Sequence, residues 1–364
     1  MMIDHDQASH LMPHPSSLAE APVGARRGIS SLRYCLILVV LPLLAIPACI
    51  ALGRSDFFLH HGASVWVQAN DQIFDARDRE CDVLVYGDST AMTGIDPQKV
   101  EERTGLRTCN ISVTNSVMAV TGNLALDSFL AHNQRPKVLL IQLSPDGFQP
   151  GSTIWHNTIY AEGLLELLRH GRPGEARRML LTHPTESISF AGYAAGFTAW
   201  YGVKAAWFHL TNHLPEEDTV VVQNGFFTPP APARTRCEAT VSHIAPGTQD
   251  QVAFSRSLVE NFRRVYGDRA GTVLVNVAPI PDCDDNLAAY TAQLNGVTSN
   301  QLLPLPVGYF NNCCHYTAQG SEIVSTLIAE EVNAIDGHSL RSAAPTAPVR
   351  QIASLRRVRM GVRR

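Results

Sequence analysis

The chain has 364 residues, 45% of them hydrophobic and 17% charged, with a formal net charge of −4. That length exceeds a disulfide-stapled mini-protein and admits one large domain or two ordinary ones. A charge so near zero excludes a nucleic-acid binder working through a general positive field, and a mean hydropathy near zero excludes a multi-span membrane protein.

In chain order, residues 1–33 are rich in His, Pro, Ser and Ala and read as a disordered cytoplasmic segment. Tyr34 to Gly53, YCLILVVLPLLAIPACIALG, carries no charge. As a helix it rises roughly 30 Å, the thickness of a bilayer core, so 34–54 is expected to be a transmembrane anchor. A cleaved signal peptide is the rival, but its apolar stretch is usually about 7–15 residues and nearer the start. Arg26, Arg27 and Arg33 precede the span and hold the amino end inside, leaving everything beyond residue 54 outside. The expected location is therefore the cell inner membrane, single-pass, with the body periplasmic or otherwise extracytoplasmic.

The body, about 60–336, alternates strands and helices. Val83–Tyr86 is a short apolar run ending in Gly87-Asp88-Ser89. A helix is expected over Asp96–Arg103, closed by Gly105, then a strand over Arg107–Val113 and a helix over Met118–His132. Lys137–Leu143 is uniformly apolar, as a strand covered on both faces should be. Gln251–Tyr266 reads as an amphipathic helix, Thr272–Val277 as a strand and Thr317–Val332 as the closing helix. The pattern predicts an α/β fold: a doubly wound, mostly parallel, flavodoxin-like three-layer sheet. Residues 150–247, with Trp155, Trp200 and Trp207, read as a helical insertion, and 338–364 as a disordered basic tail.

Cys35 and Cys49 lie in the apolar span, leaving six cysteines beyond it. None has zinc or redox spacing, so an oxidising compartment predicts one to three disulfides, against buried free thiols as the bland alternative. Cys81 and Cys109 both stand at strand starts, and adjacent strands lie about 4.8 Å apart, within disulfide reach. Cys283 with Cys313 or Cys314 is the weaker second pair.

Ser89 follows a buried strand at the mouth of a helix, where helix-start N–H groups can hold an anion. By itself the tripeptide is weak, because Ser or Asp after a strand usually just caps a helix. The other end of the body raises its weight. Asn312-Cys-Cys-His315 precedes the last helix, so His315 can reach the same sheet edge as a base for Ser89. Together the two ends resemble the SGNH (GDSL) hydrolase superfamily over about 80–148 and 270–335. That resemblance implies Ser89 as nucleophile and His315 as base, with Asn312 where the family has its orienting Asp. Asn115 falls at the oxyanion-hole glycine position and Asp146 where the family has an Asn. An ionised Asp146 cannot donate a hydrogen bond, so the catalytic pattern is only half kept. The resemblance makes Asp88, Asn115 and Asp146 the candidate oxyanion or substrate-binding residues. Asp282, Asp284 and Asp285 lie near the same edge, and one of them could stand in for the orienting carboxylate. A metal site there is a poorer expectation than helix caps. No P-loop, Rossmann glycine pattern or HExxH occurs.

The resemblance implies acyl-ester hydrolysis or O-acyl transfer on an extracytoplasmic polysaccharide, without cofactor or metal. The implied partners are a glycan substrate, the membrane through one span and a membrane acyltransferase, and no nucleic acid. The alternative is a non-catalytic SGNH-like glycan-binding or assembly subunit of an envelope polysaccharide complex.

Overall fold

The computed structural model describes residues 30–53, 65–74, 76–150, 157–182, 247–312 and 314–341, with Ser55 and parts of 196–211 and 222–237. The chain divides into two units, 1–45 and 46–364, and the body lies in the second. The apolar segment forms helix α1 (Ser31–Gly53), of whose side chains only some belong to the described set. Among the described residues no helix is long and apolar enough to cross a membrane.

Helix α2 (Val65–Phe74) buries Val65, Ala69 and Ile73 at helical spacing. Strand β1 (Val83–Gly87) is buried throughout and passes at once into α3 (Ser89–Gly94). Helix α4 (Pro97–Thr104) carries the signals legible in the sequence: Asp96 at its N-cap, Pro97 at its first position, and Gly105 ending it in the left-handed region at φ 71°. Strand β2 is only Thr108–Asn110, shorter than the expected Arg107–Val113. Asn110 ends it, because its side-chain amide donates to the Ala91 and Ile95 carbonyls and accepts from the Ser112 N–H. The helix expected over Met118–His132 is two, α5 (Asn115–Thr121) and α6 (Leu124–His132). They part at Gly122, φ 56°, whose carbonyl accepts the Tyr86 hydroxyl.

Strand β3 (Val138–Leu143) is buried at every position. Within the expected insertion, α7 (Asn157–Arg169) and α8 (Pro173–Thr182) are helical, while Trp155 lies outside the described residues. Helix α9 (Gln249–Tyr266) starts on a reciprocal capping box between Thr248 and Gln251. Then come β4 (Thr272–Val277), β5 (Ile280–Pro281), α10 (Leu287–Leu294), β6 (Pro304–Leu305) and α11 (Ala318–Arg341). Helix α11 extends past residue 338, where the tail was expected to begin; residues 342–364, like 1–29, lie outside the described set.

The fold is α/β, with a four-stranded parallel sheet in the order β2-β1-β3-β4 and a two-stranded pairing of β5 with β6. Alternate strand residues serve opposite faces. Leu84, Tyr86, Leu139 and Ile141 pack with Ala69 and Ile73 of α2, Phe129 of α6 and Phe262 of α9. Val83, Val85, Val138 and Leu140 pack with Val100 of α4 and Val324, Ile328 and Val332 of α11.

Both sheet edges are occupied. Beside β2, the Asn110 N–H donates to the Asn224 carbonyl at 3.3 Å. Beside β4, the Val275 and Val277 N–H groups donate to Ser299 Oγ and Asn300 Oδ1, while their carbonyls accept from the Ser299 N–H and Asn300 Nδ2.

Cys81 and Cys109 form the expected disulfide, their Cα atoms 5.8 Å apart at the amino end of the sheet. The second pairing differs from expectation: Cys283 joins Cys237, Cα to Cα 5.9 Å. Cys314 is outside any disulfide, and Cys313 lies outside the described residues. The reason is the path of 232–237, which returns to the histidine loop: the Arg234 N–H donates to the Phe310 carbonyl at 2.7 Å. Two disulfides suggest an extracytoplasmic domain.

Candidate active site

In a parallel sheet all carboxyl ends of the strands share one edge, and the loops leaving it form the usual site. Strand β1 delivers Gly87, Asp88 and Ser89 there. A Cβ at Gly87 would collide with the Gln142 carbonyl of β3, so only glycine lets the two strands close at this point. Asp88 is 2% exposed and turned inward. One carboxylate oxygen accepts the Thr90 N–H and hydroxyl at 2.9 and 2.6 Å, and the other accepts the Ser144 N–H at 2.8 Å. Asp88 therefore pins the Ser89 turn to the end of β3, and both of its oxygens are engaged within the protein rather than offered to a ligand.

His315 arrives from the far end of the chain. An antiparallel bridge between Phe310 and Tyr316 frames its loop, with the Tyr316 hydroxyl donating to the Pro279 carbonyl at 2.8 Å. The Asn311 N–H closes the loop on the His315 carbonyl at 3.0 Å. Nε2 of His315 then lies 2.9 Å from Ser89 Oγ, joining groups 226 residues apart in sequence.

Asn312 occupies the other side of the imidazole, and its orientation decides the tautomer. Its Oδ1 accepts two backbone N–H groups, from Cys314 at 3.1 Å and His315 at 2.9 Å. That leaves Nδ2, a donor, facing His315 Nδ1 at 2.7 Å. A neutral imidazole accepting at Nδ1 carries its hydrogen on Nε2, so Nε2–H points at Ser89 Oγ. Burial pushes the His315 pKa down to about 4, with the Asp88 charge pulling weakly the other way, so the ring is neutral at pH 7. In this resting state Ser89 receives a hydrogen bond from the histidine and is not yet activated by it.

The ring is covered by residues that the sequence pattern did not single out. Trp66 of α2 lies against His315, centroids 4.7 Å apart, and Phe227 meets Trp66 edge-on at 4.7 Å. Asn70, one turn further along α2, exchanges two hydrogen bonds with Thr114, at 3.0 and 2.9 Å, and so fixes the loop that begins α5. The sequence pattern assigns no element to 65–74, so it anticipates neither this helix nor what the helix covers.

Asn115 is exposed at the first position of α5. The Val113 N–H donates to the Gly87 carbonyl at 3.0 Å, which brings the segment leading to Asn115 beside the one leading to Ser89. Asp146 lies in a short 3-10 turn after β3 and accepts the Tyr290 hydroxyl at 2.5 Å, which ties it to α10. The Asp282–Asp285 loop does not supply the orienting carboxylate, since Asn312 holds Nδ1; Asp284 accepts the Asn286 N–H at 2.8 Å instead. The Asn312 carbonyl is held in turn by Arg234 Nη1 at 2.9 Å.

No family model, curated protein or solved structure matches the chain. The functional argument therefore rests on the site: a serine hydroxyl at a helix mouth, an imidazole within hydrogen-bond reach, and an amide where a carboxylate would complete a triad.

Proposed function

We propose that this chain performs acyl-ester chemistry at Ser89, as a hydrolase or O-acyltransferase acting on an extracytoplasmic glycan in the manner of the SGNH superfamily it resembles. The observation that carries the reading is the 2.9 Å contact between Ser89 Oγ and His315 Nε2. Ser89 Oγ attacks the acyl carbonyl and its proton passes to Nε2. The oxyanion is held by the Ser89 N–H with help from Asn115. Collapse expels the alcohol with the proton from Nε2, and the acyl group on Ser89 passes to water or to a sugar hydroxyl. Nε2 can take that proton only when Nδ1 carries the ring hydrogen, so the Asn312 amide must first turn its oxygen toward the ring. That turn breaks two backbone hydrogen bonds, and slow turnover follows. In the same proposal the apolar segment 34–54, of whose side chains only some belong to the described set, anchors the protein in the inner membrane with the body periplasmic or otherwise extracytoplasmic, beside a membrane acyltransferase as acyl donor.

A second reading, a non-catalytic glycan-binding or assembly subunit, is favoured by the Asn312 orientation itself. Labelling with an acyl-ester or fluorophosphonate probe separates the two. Under the enzyme reading the wild type is labelled at Ser89, and Ser89→Ala and His315→Ala each remove labelling and esterase activity. The double variant should then be little worse than either, because such residues act as a unit. Absence of labelling, with alanine variants that still support glycan modification in cells, leaves the subunit reading.

A further inference from the structure

A second polar cluster lies away from Ser89. Asp71 of α2, Glu166 of α7 and His170, one residue past α7, bring a carboxylate oxygen, a carboxylate oxygen and an imidazole nitrogen within 4.8 Å of one another. His170 Nε2 stands 3.1 Å from Asp71 Oδ1 and 3.4 Å from Glu166 Oε2. The Glu166 and His170 side chains are 3% and 7% exposed, Asp71 19%. Asp71 Oδ1 and Glu166 Oε2 are buried, and among the described residues neither accepts a hydrogen bond of good geometry. One imidazole nitrogen carries at most one hydrogen, and two buried carboxylate oxygens face it.

We propose that Asp71, Glu166 and His170 bind a first-row divalent cation, with Zn²⁺ as the best-fitting ion. Bonds of about 2.0–2.2 Å to a four-coordinate ion place neighbouring ligand atoms about 3.3–3.6 Å apart, close to the two spacings from His170 Nε2, and the third is within 4.8 Å. Mixed imidazole and carboxylate donors suit Zn²⁺ better than Mg²⁺. Arg169 Nη1 holds the outer Glu166 oxygen, Oε1, at 2.7 Å and stands 3.6 Å from Asp71 Oδ1, a contact the ion would have to displace, and Phe74 stacks on the His170 ring at 4.9 Å. Asp71, the most exposed of the three, marks the side from which the ion and a completing water enter. Because the ligands come from α2 and α7, the ion would clamp the helix that carries Trp66 and Asn70.

The test is equilibrium dialysis of the full chain against Zn²⁺, with Mg²⁺ as control. The wild type should retain one Zn²⁺ more per chain than Asp71→Asn or Glu166→Gln, and those variants should bind at that site at least 100-fold more weakly. Zn²⁺ should also raise the unfolding midpoint of the wild type by several degrees and leave that of the variants unmoved. Asp71→Asn, at the most exposed ligand, decides the matter should Glu166→Gln fail to fold. Equal zinc stoichiometry in wild type and Asp71→Asn, or no zinc retained by either, overturns the proposal and leaves the cluster an ion-pair network.

Discussion

Asn312→Asp is the most informative single substitution. The side chains are isosteric, so one carboxylate oxygen keeps the backbone bonds from Cys314 and His315, at 3.1 and 2.9 Å. The other takes the place of Nδ2, 2.7 Å from His315 Nδ1, where a donor becomes an acceptor. Nδ1 must then carry the ring hydrogen, and Nε2 turns a lone pair toward Ser89 at 2.9 Å. In the serine-protease triad the reverse exchange, carboxylate to amide, costs about 10⁴ in rate, or about 5.4 kcal/mol of barrier. That loss comes from the tautomer, which the substitution restores, while the departures at the oxyanion positions stay as they are, so kcat/KM on an aryl acyl ester should rise by about 10²- to 10⁴-fold. Nitrogen-15 imidazole NMR supplies a readout independent of substrate: the ring hydrogen should sit on Nε2 in wild type and on Nδ1 in the variant. The new carboxylate should also raise the His315 pKa from about 4. A rate within twofold of wild type, or a hydrogen on Nδ1 in both proteins, refutes the assigned role of Asn312.

The pH dependence follows from the same histidine. Its folded pKa, about 4, lies below the ordinary 6.5, so between those values the unfolded chain binds more protons and stability rises with pH. The contribution is complete above about pH 6.5 and is lost as pH falls toward 4, on the order of 2–3 kcal/mol; urea unfolding at pH 7 and 4.5 should show it, and His315→Gln should flatten the difference. Cys81→Ser opens a loop whose ends are 28 residues apart and should cost about 3–4 kcal/mol in chain entropy, measured by denaturant midpoint in non-reducing buffer. A reporter fused at the carboxyl end should behave as exported in cells; cytoplasmic behaviour would end both the anchored topology and the extracytoplasmic function.

Strands β1, β3 and β4 were legible because they are short apolar runs bounded by turn residues, and α4 because Asp96, Pro97 and Gly105 punctuate it. The split between α5 and α6 was missed because Gly122 is tolerated within a helical pattern, and only the Tyr86 hydroxyl meeting its carbonyl shows why the chain turns there. Ser89 and His315 could be proposed as partners because a parallel sheet sends both to one edge. Their tautomer was only half legible: an amide can present either end to the ring, and it is the local turn in which Asn312 Oδ1 accepts the Cys314 and His315 N–H groups that turns Nδ2 toward it. Trp66 and Asn70 stayed hidden because the sequence pattern assigns no element to 65–74, and even a helical period there would not have named what its buried face covers. The Cys237–Cys283 pairing depended on where 232–237 returns, a long-range fact absent from local pattern.

The closed flanks of the sheet restrict how this protein can meet another. A bare outer strand is a template on which a second chain can lay an extended segment, whether as a specific partner or in aggregation. On β4 the outward groups of Val275 and Val277 are already matched by Ser299 and Asn300, and on β2 the Asn224 carbonyl takes the outward N–H of a three-residue strand. Strand addition at these positions would first have to peel away the protein's own loops. Whatever joins this chain should therefore dock on helix faces and on the loops around Ser89, and extended-peptide mimics of a missing strand should fail to compete for it.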